Sequence, residues 1–260
     1  MTGAVTLASE IPFPPSVEDF FPPALFSIGG FGVTKAALLV WLGTALIMLF
    51  FLLGYRNPQL VPGRMQWMAE SIYGFVRESL AKDMIGAEGL KFAPYLATLF
   101  CFILVNNVFG IIPFIQISPN SHIAFPMFMA VISWVLFVSV GIRRFGFLHY
   151  MKKTLVLPAP WFILPLLIPI EFLSTFIVRP FTLAVRLFAN MFAGHIILLV
   201  FTLGGFVLLG VNAAYIPVAG FSWLLAIALT FLETLVAILQ AFIFAILTSS
   251  YIQGALAEEH

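Results

Sequence analysis

Five long apolar stretches dominate this 260-residue chain and leave few folds open to it. They fall at about 36–53, 92–113, 125–142, 181–209 and 217–251. Lipid offers no hydrogen-bond partner to a free backbone group, so apolar runs of about 20 residues cross a bilayer as helices. The sequence therefore predicts an all-α integral membrane protein with about five membrane-embedded helices.

The composition excludes an ordinary soluble domain. Hydrophobic residues make up 62% of the chain and charged residues 9%, whereas soluble domains average roughly 45–50% and about 25%. The formal net charge of +1 provides no basic surplus of the kind that drives nucleic-acid binding, so no nucleic-acid partner is expected. The sequence carries no metal-ligand or cofactor motif, and no cofactor is expected.

Two segments flank the first apolar stretch and differ from it in composition. Residues 11–23 are rich in proline and acidic side chains, and no basic residue precedes Lys35, which is atypical of a secretory signal and predicts that residues 1–35 form an irregular tail. Residues 63–85 mix charged and apolar side chains at helical spacing, which predicts an amphipathic helix on the membrane surface. We expect residues 36–260 to form a single membrane domain.

Basic residues cluster in two of the predicted loops. Five lie between the first and second spans and four follow the third span: Arg56, Arg64, Arg77, Lys82 and Lys91, then Arg143, Arg144, Lys152 and Lys153. Two spans separate the clusters, so both lie on one side, which the positive-inside rule places in the cytoplasm. The N-terminal tail is then expected outside the cytoplasm and the C-terminus inside it.

The last two apolar stretches are longer than a bilayer requires. At about 1.5 Å per residue they reach roughly 40–50 Å, whereas the hydrocarbon core is about 30 Å thick. We therefore expect a strongly tilted hairpin over about 161–255. Prolines are expected to interrupt the start of this region, at positions 158, 160, 165, 169 and 180.

Arg186 stands inside one of these long apolar stretches. An arginine at mid-membrane costs about 3 kcal/mol even on a lenient insertion scale, and its guanidinium does not lose its proton. Helical spacing places Arg179, Thr182, Arg186 and Asn190 in one polar stripe. His195 follows Arg186 about half a turn out of phase, so its side chain is expected to point away from that stripe.

The final stretch carries Glu233 and Gln240, which share one helix face. In an antiparallel hairpin Gln240 is level with Arg186, and Glu233 is level with His195. Gln240 is then expected to offer its carbonyl oxygen to Arg186, while His195 and Glu233 form a pair that exchanges protons near neutral pH. The two depths predict a proton-entry path that ends at a permanent positive charge.

Several polar side chains of this region can be interpreted in two ways. Glu171 either lines a cytoplasmic channel or lies at the membrane interface. Thr182 either lines that channel or bonds to a carbonyl of its own helix. Asn190 and Gln240 either line the path or join two helices by hydrogen bonds.

Two runs of sequence carry a family resemblance. RPFTLAVRLFANMFAGH at 179–195 and LETLVAILQAFIFAILTSSY at 232–251 closely resemble subunit a of the F-type ATP synthase. Further similarities are LVPGRMQWMAESIYGFV at 60–76, NNVFGIIP at 106–113 and SPNSHIAF at 118–125. The resemblance covers most of the chain from about residue 55 onward.

The resemblance implies a proton-conducting stator that couples proton flow to rotation of a ring of c subunits. Arg186 would be the essential charge that faces the c-ring carboxylate, and Asn190, His195, Glu233 and Gln240 would occupy channel-lining positions of two offset half-channels. Implied partners are the c ring, b-type peripheral-stalk subunits, the lipid bilayer and translocated protons. The implied location is the bacterial plasma membrane.

Two other classes of function compete with this interpretation. A secondary transporter would use Arg186 as an anion or substrate site, but the sequence lacks the repeated halves expected of such proteins. A membrane anchor of a respiratory complex would not require polar side chains paired between two helices at two different depths of the membrane. No phosphate-binding loop or nucleophile triad is present in the sequence, so the chain is not expected to bind or hydrolyse ATP itself.

Overall fold

The computed structural model describes residues 26–28, 31–112, 115–155 and 162–257. Most of the predicted tail at 1–35 lies outside these residues. The part of it that is described contains two short antiparallel strands, β1 (Phe26–Ile28) and β2 (Phe31–Val33), which pair directly with each other. The sequence analysis did not predict this small hairpin, because strands of three residues are too short to show a period.

Among the described residues, five helices are long and apolar enough to cross a membrane, which confirms the predicted fold class. They span Lys35–Tyr55, Ala87–Ile111, Ala124–Phe145, Leu164–Val211 and Ile216–Leu256. Three match the predicted spans closely: α1 (Lys35–Tyr55), α3 (Ala93–Ile111) and α4 (Ala124–Phe145). A 3-10 turn, Ala87–Phe92, leads into α3, and a second one, Pro119–Ser121, lies between α3 and α4.

An amphipathic helix is present at the predicted position between α1 and α3. It begins as α2 (Arg64–Phe75), continues through a wider π-helical segment (Val76–Lys82) and ends with one turn at Asp83–Ile85. Its buried apolar residues pack against α3, while charged residues such as Glu78 and Lys82 are exposed and pair at 2.8 Å. That exposed Lys82 ammonium lowers the pKa of the Glu78 carboxyl through a hydrogen bond.

The two C-terminal helices form the long predicted hairpin, but its first helix is longer than expected. It begins as α6 (Leu164–Leu173), passes through a π-helical segment (Ser174–Val178) and continues as α7 (Arg179–Val211). The second helix is α8 (Ile216–Leu256). At about 1.5 Å per residue α8 reaches roughly 60 Å, twice the thickness of a hydrocarbon core, so it cannot cross a bilayer along its normal.

The prediction that prolines interrupt this region is wrong for the three that the structure describes. Pro165 lies in the first turn of α6, where no intrahelical donor is needed, and Pro169 is accommodated inside α6. Pro180 cannot donate to the carbonyl one turn before it. The π-helical segment just before it widens the helix, and the Arg179 backbone N–H bonds to the Ser174 carbonyl across it.

The basic segment after α4 is partly helical rather than a loop. α5 (Phe147–Leu155) follows Gly146, whose φ of 79° suits glycine and sets the direction of the chain. At this end of the protein Arg144 pairs with Glu88, and Lys153 donates to the backbone carbonyl of Ala257. We call it the basic end, because both predicted basic clusters contribute to it.

Helix α3 lies at the centre of the packing. Its buried side chains contact the amphipathic helix, α4, α7 and α8 in one continuous apolar core. By contrast, α7 buries only Leu183, Ala184, Leu187, Met191, His195 and Gly205, and its other residues are half-buried or exposed. The helix that carries Arg186 therefore presents most of its surface outward.

Candidate functional site

The faces of α7 separate Arg186 from the core. Leu183, Leu187 and Met191 are buried against the rest of the chain, while Arg186 lies on the exposed side with Asn190. In the part of the chain that the structure describes, no residue forms a hydrogen bond or ion pair with the Arg186 guanidinium. This cation is thus free to interact with a group on another molecule.

Gln240 contacts the neighbour of Arg186 rather than Arg186 itself. Its Oε1 accepts a hydrogen bond of 2.8 Å from Nδ2 of Asn190, which joins α8 to α7. The expectation that this carbonyl would serve Arg186 is therefore wrong: Gln240 meets Asn190, one helical turn further along α7 than the predicted level. Gln240 itself is buried.

His195 and Glu233 form the pair that the hairpin register predicts. His195 Nδ1 lies 3.2 Å from Glu233 Oε1, and the two side chains are only 7% and 5% exposed. Neither His195 Nε2 nor either carboxylate oxygen has a hydrogen-bond partner among the described residues. His195 points to the buried side of α7, away from Arg186, also as predicted. Buried polar atoms without protein partners are sites where water or a transferred proton is expected.

A cavity of about 150 Å³ adjoins His195 and provides room for water. Its walls come from the end of α3, the loop after it and the two long helices: Gly110, Ile111, Gln116, His195, Leu198, Leu199, Thr202 and Thr230. Gln116 has a φ of 45°, a conformation that non-glycine residues seldom adopt. This His195 cavity lies at the end of the protein opposite the basic end.

Two glycines make the pair possible. A Cβ placed on Gly194 would lie 2.9 Å from Glu233 Oε1, and one placed on Gly110 would lie 2.4 Å from His195 Cε1. The carboxylate and the imidazole therefore occupy space that any other residue would fill. The role of Gly110 was not predicted, because the sequence of an apolar run does not reveal which side chain packs against one of its glycines.

A second cavity of about 210 Å³ lies at the basic end. Within it Arg179 Nη2 lies 3.5 Å from Glu171 Oε1, which also accepts a 3.3 Å hydrogen bond from Thr175. In a regular α-helix residues eight apart point about 80° away from each other. The π-helical segment between Glu171 and Arg179 brings them back to one face, so the same irregularity that accommodates Pro180 builds this Glu171 cavity.

Aromatic and basic side chains complete the Glu171 cavity. The Arg179 guanidinium carbon lies over the ring of Tyr251 in α8, 5.5 Å from the centre of that ring. Lys153 lines the same cavity. Tyr150 is buried at the wall, and burial raises the pKa of its hydroxyl, which therefore stays neutral. The cavity combines one carboxylate with two cations at the predicted cytoplasmic side.

The remaining predicted residues are held by local contacts. Thr182 donates to the carbonyls of Val178 and Arg179 at 2.8 and 3.1 Å, which is the helix-bonded alternative of the sequence analysis. Asn107 donates to the Ala237 carbonyl at 3.1 Å and accepts from Asn120 at 2.8 Å. These buried amides fasten α3 and the loop after it to α8.

Distances along α7 set the order of these groups. At about 1.5 Å per residue, Arg186 lies roughly 10 Å from Arg179 and roughly 14 Å from His195. The two cavities thus lie on opposite sides of the Arg186 level. Together the fold and the site define a multi-pass helical membrane protein with ionisable groups at two depths and an unpaired arginine between them.

Comparison with known proteins assigns this architecture to a family. The family model described as ATP synthase A chain matches residues 37–253. An ATP synthase subunit a from a Nocardioides species is 45% identical over 261 residues, covering 95% of this chain and 94% of the relative. The Rhodococcus erythropolis subunit a is 43% identical, with 99% and 96% covered, and that of a Parafrankia species is 44% identical, with 98% and 88% covered. The chain belongs to the ATP synthase subunit a family.

Proposed function

We propose that this chain is the proton-conducting stator of a rotary F-type ATP synthase and works against a ring of c subunits. The observation that carries the proposal is the exposed, unpaired guanidinium of Arg186 between two polar cavities at opposite ends. A charge held in an apolar helix at this energetic cost marks a functional site. An outward-facing cation of this kind fits a partner with a membrane-buried carboxylate.

The His195 cavity serves as the proton entrance from outside the cytoplasm. Its volume accommodates several water molecules. His195 and Glu233 then take the proton as a pair and pass it towards the ring. Because the two groups are in contact, proton uptake belongs to the pair rather than to either residue.

Arg186 keeps the two cavities electrically separate. Its fixed charge repels a proton that would pass directly between them, and it favours the ionised form of the ring carboxylate as that group goes by. Protons must then travel on the ring, and each one delivers about 2.3 kcal/mol per 100 mV of membrane potential. Asn190 and Gln240 hold α7 against α8 at this level.

The Glu171 cavity serves as the exit to the cytoplasm. Glu171 accepts protons there, beside Arg179 at 3.5 Å and in a cavity that Lys153 also lines. Thr182 has a structural role in this scheme, since its hydroxyl already bonds to its own helix. The exit lies at the basic end, as the positive-inside rule requires of a cytoplasmic face.

The same proposal assigns partners and orientation. Besides the c ring, b-type peripheral-stalk subunits bind this chain and prevent it from rotating with the ring. The chain lies in the bacterial plasma membrane with its N-terminal tail outside and its C-terminus in the cytoplasm, and residues 36–260 act as one membrane domain. It neither binds nor hydrolyses ATP.

ATP-driven acidification of inverted membrane vesicles tests the proposal. Arg186→Ala should abolish pumping in a complex that still contains the c ring. Arg143→Ala is the matched control, because Arg143 is an exposed arginine of the basic end, and it should pump at the wild-type rate. Normal pumping by assembled Arg186→Ala complexes would refute the rotary stator function.

A further inference from the structure

Gly110 packs directly on the imidazole of His195. A Cβ built on Gly110 would lie 2.4 Å from His195 Cε1 and 2.5 Å from His195 Nε2. Atoms of a folded protein do not approach this closely, so one of the two residues would have to move if Gly110 were any other residue. The lack of a side chain at position 110 is therefore what lets the imidazole occupy its place.

The place of a side chain at 110 is bounded by a second residue besides His195. Ser118 Cβ lies 3.1 Å from the same constructed Cβ. Ser118 is fully buried and donates a 3.0 Å hydrogen bond to the carbonyl of Asn106, one turn earlier on α3. The loop after α3 thus lies against the same small space as the imidazole.

A second contact fixes α3 relative to Glu233. Asn107 donates to the backbone carbonyl of Ala237, one helical turn after Glu233 on α8. The helix that carries Gly110 and the helix that carries Glu233 are therefore joined at the level of the ionisable pair. The imidazole lies between these two fixed walls.

We propose that Gly110 is a positioning residue that holds the His195 imidazole in its place beside Glu233. This inference rests on the proposed function of that pair. A larger residue at 110 would take part of the space of the imidazole and displace it from its place beside Glu233. The requirement for glycine comes mainly from the side chain at 195, because the imidazole atoms lie much nearer the constructed Cβ than Ser118 does.

Proton pumping by assembled complexes is the first test. Gly110→Ala should lower the pumping rate about tenfold or more, since displacements near 1 Å in a reactive site have effects of up to about a hundredfold. Gly220→Ala is the matched control, because a Cβ at Gly220 meets no atom within 4 Å, and it should pump normally. Wild-type pumping by Gly110→Ala would overturn the inference.

A double-mutant cycle on the thermal stability of the purified complex is the second test. Gly110→Ala should lower the melting temperature strongly in the wild-type background and much less in the His195→Ala background, where the imidazole is gone and only the 3.1 Å approach to Ser118 remains. Equal losses in both backgrounds, or failure of His195→Ala to restore assembly of a Gly110→Ala chain, would overturn the inference. If Arg186→Ala complexes pump, the proposed function fails, but this cycle still reports whether Gly110 acts through His195.

Discussion

His195 Nδ1 lies 3.2 Å from Glu233 Oε1 between two helices, with both side chains almost completely buried. The two residues are far apart in sequence and meet because α7 and α8 pack antiparallel along most of their length. His195 Nε2 and both Glu233 carboxylate oxygens lack hydrogen-bond partners among the described residues, and His195 lines the adjoining cavity.

The first prediction concerns this contact. His195→Gln and Glu233→Gln should each reduce ATP-driven proton pumping about a hundredfold, a typical contribution of a proton-transferring side chain. The double variant should lose no more than the worse single variant, because residues that act as a unit show non-additive losses. The acidification rate of vesicles with equal amounts of complex measures the two single variants and the double variant. A double-variant loss equal to the product of the two single losses would contradict the paired role.

The second prediction concerns the buried amides behind the pair. Asn107→Ala removes hydrogen bonds to Ala237 and Asn120 and leaves the buried Asn120 amide without its Asn107 acceptor. The unfolding free energy should fall by about 1–3 kcal/mol, seen as a lower melting temperature of the purified complex. Thr98→Val is the control, because the exposed Thr98 hydroxyl bonds only within its own helix. Equal melting temperatures for Asn107→Ala and wild type would be incompatible with a fastening role.

The fold was predictable from sequence where a physical constraint acts on long stretches. Apolar length and the need to satisfy the backbone in lipid located all five membrane helices. The helical path through Pro169 and Pro180 was not predictable, because a π-helical turn depends on how the whole helix packs rather than on proline alone. α5 was missed because its nine residues are fewer than the roughly 11–18 over which a helical period can be recognised.

The third prediction contrasts two glycines of α7. Gly205→Ala places a methyl group 2.3 Å from the indole nitrogen of Trp223, a rigid ring whose N–H donates to the Thr202 carbonyl. It should destabilise the hairpin by about 1–3 kcal/mol. Gly194→Ala meets only the flexible end of Glu233, so it should leave the melting temperature unchanged while slowing pumping. Reversed effects of the two variants would contradict the assigned contacts.

The fourth prediction separates two polar residues at the basic end. Glu171→Gln removes the carboxylate that pairs with Arg179 and should slow pumping about tenfold by closing the exit path. Thr182→Val should pump at the wild-type rate, because the Thr182 hydroxyl bonds only to carbonyls of its own helix. The acidification rate of vesicles measures both variants. Slow pumping by Thr182→Val together with normal pumping by Glu171→Gln would contradict these two roles.

Those contacts of the candidate site that follow from helix geometry alone were predictable from the sequence. Equal depth on an antiparallel hairpin was enough to pair His195 with Glu233. It was not enough to choose between Arg186 and Asn190 as the partner of Gln240, because that choice depends on side-chain length and direction. Gly110 and Gln116 were out of reach for a different reason: they belong to another helix and its loop, and only the tertiary fold brings them to His195.

Disulfide cross-linking to the c ring tests the central claim most directly, with Arg186 left in place. Single cysteines at Ala189 and Ala193 lie on the exposed face of α7 with Arg186, whereas Ala184 is a fully buried alanine of the same helix. In a chain that also carries Cys101→Ala, the account predicts that Ala189→Cys and Ala193→Cys cross-link to a cysteine one turn from the c-subunit carboxylate and that Ala184→Cys does not. Cross-linking from Ala184→Cys, or from none of the three, would contradict it.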